Sequence, residues 1–174
     1  MFGSVLALPG VQADAAAQQD SILPYDTHCF LMPVPAGADH SPQWCTHAPR
    51  GRSIEAMMRD APAPFQSSFS TLTSVTLGVD YDGSQLTGAT FNWWGSTGCT
   101  STISYRGDFS ADWNDRTSSA IIDSGSGCHW FRHFDTIGST GSYYECGLTV
   151  QKCDLDQLYI NGWDNRASSV RFLY

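Results

Sequence analysis

Two short stretches place an oxygen donor on almost every side chain: Asn114-Asp115-Arg116-Thr117-Ser118-Ser119 and, fifty positions later, Asp164-Asn165-Arg166-Ala167-Ser168-Ser169. Carboxylates, amides, hydroxyls and main-chain carbonyls are the donors that hard cations take. Ca²⁺ gathers roughly six to eight of them at about 2.3–2.6 Å. Neither stretch contains His or Cys, the ligands that zinc and copper favour. One loop of this length supplies too few oxygens for a full shell, so the chemistry requires that the two loops meet and share their donors.

A second repeat is suited to bring them together. In 75–88 and again in 128–141 an aromatic residue is followed by Asp and, seven positions after the aromatic, by Gly: Tyr81, Asp82 and Gly88, then Phe134, Asp135 and Gly141. Each copy precedes one polar loop, so a unit with the hairpin signal first and the loop last occurs twice. A unit that cannot bury its own apolar face must dock on its twin, which predicts an all-β sandwich of two sheets with pseudo-twofold symmetry. After Phe65 the chain turns to Ser, Thr, Gly, Tyr, Trp and Phe in short alternating runs broken by Gly-containing turns. All eight prolines fall between Pro9 and Pro64, so none interrupts a ladder in this half.

At these residues the chain resembles the βγ-crystallin superfamily, in particular its calcium-binding microbial branch. The loop signature N/D-N/D-x-x-S/T-S is met by both stretches, and the hairpin signature aromatic-x6-Gly by Tyr81 to Gly88 and Phe134 to Gly141. The likeness covers about residues 69–174 and none of residues 1–65. It implies a single domain of two Greek-key motifs, without catalytic activity, that binds two Ca²⁺ ions shared between the loops. Carried over position by position, the oxygens would come from the side chains of Asn114, Asp115, Asp164 and Asn165, the main-chain carbonyls of Arg116 and Arg166, and the hydroxyls of Ser118 and Ser168. An arginine at the third position leaves its carbonyl available, while its charge works against a bound cation. The competing reading is that the same side chains only cap turns.

Before residue 65 the chain reads differently. Residues 1–15 hold a short apolar stretch ending in Ala13-Asp14-Ala15, a small-x-small pattern read as the remnant of a secretion signal that lacks a charged start. Six cysteines without a CxxC pair fit disulfides in a secreted, extracellular chain. The favoured pairing, with no motif to dictate it, is Cys29 with Cys45, Cys99 with Cys128, and Cys146 with Cys153. Residues 16–65 read as an extended, proline-rich arm with at most one short helix, capped by Ser53 and covering 54–59.

Composition narrows the partners. With 17 acidic against 9 basic residues and a net charge of −8, the surface repels phosphate backbones, so no nucleic-acid partner is expected and a cation is. No apolar run reaches the roughly 18–20 residues of a spanning helix, and no membrane partner is expected. His28, Cys29, His40, Cys45 and His47 crowd together, but their spacing fits no zinc finger, and a proline-rich arm frames no Cys/His hydrolase. Asp154 and Asp156 suggest glycosidase carboxylates only weakly, since alternation in a strand or turn explains them. Trp93 and Trp94 are adjacent, so in a strand one faces the core and the other offers a weak stacking surface for sugar or protein.

The expectation is a secreted, non-catalytic Ca²⁺-binding protein acting as a protein-interaction module or adaptor in an extracellular assembly, toxin particles included. Its arm would carry the contact, and removal of residues 16–65 would leave the sandwich folded. The alternative is a stand-alone protein like the killer toxins or the proteinase inhibitor known among secreted relatives of this family.

Overall fold

The computed structural model describes residues 25–35, 38–69, 73–147, 152–154 and 162–174. The expected signal remnant and residues 16–24 of the arm lie outside them. The elements run β1 (Tyr25–Leu31), β2 (Gln43–Pro49), α1 (Ile54–Met58), α2 (Ala63–Ser68), β3 (Val75–Gly83), β4 (Thr87–Gly95), β5 (Tyr105–Asp108), β6 (Ser119–Ile122), β7 (Trp130–Thr136), β8 (Thr140–Gly147), β9 (Lys152–Asp154) and β10 (Ser169–Leu173).

The protein is mostly β and its strands form two sheets, as the alternating runs predict. One sheet has six strands in the order β2-β1-β4-β3-β6-β9, the other four in the order β5-β10-β7-β8. The first repeat supplies β3 to β6 and the second β7 to β10. Each repeat gives its third strand to the other's sheet: β5 lies beside β10, and β9 beside β6. The exchange interlocks the two units, and their inner faces close over one core that includes Leu77, Phe91, Trp93, Ile122, Phe131 and Phe172.

The N-terminal segment departs from the expected extended arm. It carries two strands and two helices. β1 runs parallel to β4, with Thr27 beside Phe91 and Leu31 beside Gly95, and pairs antiparallel with β2. Six consecutive residues of β1 are buried, because Cys29 and Leu31 enter the main core while Phe30 enters a second cluster on the opposite face. A strand buried on both faces shows no alternation, which is why its period is invisible in the sequence. The second cluster joins Met57 and Met58 of α1 and Phe65 of α2 to Phe30, Trp44 and Trp94, so both helices roof the outer face of this sheet.

Prolines bound these elements without breaking them. Pro33, Pro35 and Pro42 lie between β1 and β2, and Pro62 stands at the N-cap of α2 with a further proline in its first turn, where no N–H is needed. Ser53 Oγ accepts from Ala56 N at 3.3 Å and starts α1, as expected. The second helix was not foreseen. Trp93 is fully buried, whereas Trp94 is half-buried against Phe30, at 6.2 Å between ring centroids, and donates its indole N–H to His28 Nδ1 at 3.2 Å. The N-terminal segment thus covers the ring that the sequence offers as a stacking surface.

The three disulfides are Cys29–Cys45, Cys99–Cys128 and Cys146–Cys153. The first joins facing residues of β1 and β2; the last joins β8 to β9 and therefore one sheet to the other. Each stabilises by about 2–4 kcal/mol through the unfolded chain, and three together belong to an oxidising compartment. No described helix is long and apolar enough to cross a membrane.

Candidate metal centre

The two polar loops close in the same way. The last serine of each fastens its loop to the hairpin of its own repeat. Ser119 Oγ donates to Gly83 O at 2.6 Å and accepts from Leu86 N at 2.9 Å; Ser169 Oγ donates to Thr136 O at 2.6 Å and accepts from Ser139 N at 2.8 Å. Both serines are fully buried, so their hydroxyls serve the fold. One residue earlier, Ser118 N donates to Tyr81 O and Ser168 N to Phe134 O, each at 2.8 Å. These bonds explain why the hairpin signal and the loop signal travel together.

The second position of each loop has a left-handed backbone, with φ of 60° at Asp115 and 55° at Asn165. Asp and Asn tolerate that region better than most residues. The turn aims their amides at the other loop: Asp115 N donates to Ala167 O and Asn165 N to Thr117 O, both at 3.1 Å. The side chains cross as well. Ser118 Oγ donates to Asp164 Oδ1 at 2.8 Å and lies 3.3 Å from Asn165 Oδ1, while Ser168 Oγ lies 3.5 Å from Asp115 Oδ1 and 3.3 Å from Asp135 O. Each loop's hydroxyl therefore faces the other loop's acid.

The chain matches no family model, no curated protein and no solved structure. The loops' own donor set remains. At one crossing stand Ser118, Asp164 and Asn165, and at the other Ser168 and Asp115, with Asn114 donating its amide N–H to Asp115 Oδ2 at 2.8 Å. All are oxygen donors, and among the described residues neither Asp115 nor Asp164 pairs with a basic side chain. Both carboxylates are solvent-facing while both serines are buried, so each crossing sets a buried hydroxyl beside an exposed acid. Hydroxyl, amide and carboxylate oxygens of this kind suit Ca²⁺ and do not suit soft metals.

The arginines at the third position point away from the crossings. Arg116 Nη2 donates to Asp82 Oδ2 at 2.6 Å, Nη1 donates to Asp112 O at 2.9 Å, and the guanidinium lies 4.8 Å from the Trp113 ring. Arg166 repeats the pattern with Asp135 at 3.1 Å, Gly162 O at 3.0 Å and Trp163 at 4.9 Å. Asp82 and Asp135 thus neutralise the charge that would oppose a cation. Their other oxygens accept from Ala89 N at 2.7 Å and Ser142 N at 3.0 Å, and a Cβ on Gly88 or Gly141 would collide with them. The Asp of the hairpin signal was visible in the sequence, but its partner was not.

The remaining sequence candidates do not converge. Cys29 and Cys45 are bonded to each other, His47 lies 3.7 Å from Asp112, and His40 lies 4.0 Å from Asp108. Among the described residues no group of three or more His, Cys, Asp or Glu comes together. The side chain of Asp154 and all of Asp156 lie outside the described residues. His28 is buried, and its pKa is lowered chiefly by that burial and further by His47, against the opposing pull of Asp26.

Proposed function

We propose that this protein is a secreted, non-catalytic Ca²⁺-binding protein of the βγ-crystallin type, built from two Greek-key motifs, that serves as a protein-interaction module in an extracellular assembly. The observation that carries the reading is the reciprocal crossing, in which Ser118 meets Asp164 and Ser168 meets Asp115. Asn114 and Asn165 donate locally to Asp115 and Asp164, as in capped turns, but the two serine hydroxyls are directed at the opposite loop. The exchange of β5 and β9 between the two sheets supports the Greek-key reading. Asn114, Asp115, Asp164, Asn165, Ser118 and Ser168, with the carbonyls of Arg116 and Arg166, would hold two ions. A bound ion would clamp the loops by charge neutralisation, adding stability by mass action to a fold already held by disulfides: about 2.7 kcal/mol at a hundredfold excess over Kd.

Titration calorimetry with Ca²⁺ tests the site. The expected result is two binding events, with one or both lost in Asp115→Ala and in Asp164→Ala. Heats unchanged by both substitutions would remove the assignment.

The N-terminal segment keeps its expected role as a partner contact: β1 spends its pairing groups on β4 and β2, while β2 stands at the edge of the six-stranded sheet, where a partner's strand could add to it.

A further inference from the structure

We infer that the outer face of the four-stranded sheet, which no described helix covers, is a docking surface for an acidic segment of a partner protein, centred on a row of three arginines. Arg171 on β10 sits directly opposite Arg106 on β5 and directly opposite Arg132 on β7. Like charges in facing positions cost a sheet stability, so such a row needs compensation. Glu145, opposite Arg132 on β8, supplies it for that residue alone. Among the described residues, Arg106 and Arg171 have no carboxylate partner. Arg106 Nη1 donates only to the main-chain oxygen of Asp39, and the Nε atoms of both Arg106 and Arg171 are buried without an acceptor. The Arg171 guanidinium is held below its ordinary range by burial first and then by the two arginines beside it.

The placement of this charge runs against the rest of the chain. The net charge is −8, yet two guanidiniums without an ion pair stand side by side on one sheet, Arg106 sharing a pocket with Asp39 and Asp108 and Arg171 lying further from them. In the opposite sheet α1 and α2 roof the outer face of β1, β2 and β4; among the described residues no helix packs on this one. Trp130, two residues from Arg132 and therefore on the same face, is 43% exposed, with its ring laid over Gly147. Tyr143 is 50% exposed, with Arg132 stacked 4.7 Å from its ring. Trp, Tyr and Arg are the residues that dominate protein interfaces, and a guanidinium fork takes a carboxylate bidentately. A groove of ≈ 390 Å³ beside Arg171, bordered by Thr100, Thr102 and Ser104, can seat a side-chain carboxylate. A few carboxylates would neutralise the row, whereas a densely charged polymer would meet repulsion from the surrounding acidic surface.

The inference rests on the reading of the protein as an interaction module but not on its calcium sites. Poly-L-glutamate serves as the probe, measured against the full chain at low salt in EDTA and again in Ca²⁺. Saturable binding is expected, weakened about tenfold or more in Arg106→Gln and in Arg171→Gln, the size of one charge-assisted pair. Arg59→Gln, an exposed charge at the end of α1, leaves it unchanged. Relief of the like-charge row means that neither Gln variant lowers Tm, and Arg171→Lys, which keeps the charge and loses the fork, gives an intermediate affinity. Absence of binding, equal binding by the Gln variants, or tighter binding to heparin at equal charge overturns the proposal. Binding that persists in EDTA supports it even where the calcium titration fails.

Discussion

Asp80 and His133 occupy the same position in the two repeats, each just before the aromatic of the hairpin signal, and they meet inside the protein with His133 Nε2 2.7 Å from Asp80 Oδ1. Both are fully buried. The other carboxylate oxygen accepts the indole N–H of Trp93 at 2.7 Å. The two sheets are thus pinned at their pseudo-twofold axis by a polar contact between residues that the symmetry makes equivalent but chemistry makes complementary.

Truncating one partner strands the other in the core. Asp80→Ala and His133→Ala should each cost about 1–3 kcal/mol beyond the lost packing, the range for leaving a buried polar group without its partner. Asp80→Leu with His133→Leu should cost less than either, because the two partners leave together and only the Trp93 indole N–H loses its acceptor. Urea unfolding midpoints of the three variants check this, and a double variant weaker than both singles would contradict it.

Asp82 matters to the proposed calcium site through Arg116. Asp82→Asn should weaken Ca²⁺ binding by up to about fivefold, the effect of losing an exposed pair of roughly 1 kcal/mol. Asp82→Asn with Arg116→Gln should restore the affinity, because the freed positive charge is then gone. Calorimetry of the single and double variants separates this from simple loosening of the hairpin, which the double variant would not repair.

His28 makes stability sensitive to acid. Its Nδ1 accepts from Trp94, so protonation there breaks a buried bond, and burial lowers its folded pKa below the ordinary imidazole value of about 6.5. A lowered folded value means that the unfolded chain binds the proton first, so stability is lost as pH falls below about 6.5. His28→Gln keeps an acceptor without a titrating ring. The variant's unfolding free energy should fall less than that of the natural chain between about pH 7 and about pH 5.

The N-terminal hairpin should prove inseparable from the domain. Removing residues 25–69 bares the edge of β4 and the apolar face around Trp94, and it withdraws Gln43, which donates to Asp108 O at 2.7 Å and accepts from Asp108 N at 2.9 Å on the other sheet. An unprotected edge invites strand pairing between molecules. A chain starting near Phe69 is expected to elute as oligomers or aggregate in size-exclusion chromatography, whereas a stable monomer would show the hairpin to be dispensable.

Local and repeated features were legible in the order of residues. The phrases Asn114–Ser119 and Asp164–Ser169 display their oxygens openly, and the matching spacing of Tyr81 to Gly88 and Phe134 to Gly141 announced two like hairpins, because φ-permissive glycines and loop polarity are one-dimensional signals. The three cysteine pairs that form are those expected from the sequence. Which atoms face each other follows from packing: Ser118 looks at Asp164 and not at Asp115, Asp82 takes the charge of Arg116, and Asp80 finds His133. Packing also decided the fate of Tyr25–Leu31, a strand buried on both faces whose pairing partner lies more than sixty residues away in β4. Such pairings depend on strand register and on burial from two sides, and neither leaves a period in the chain.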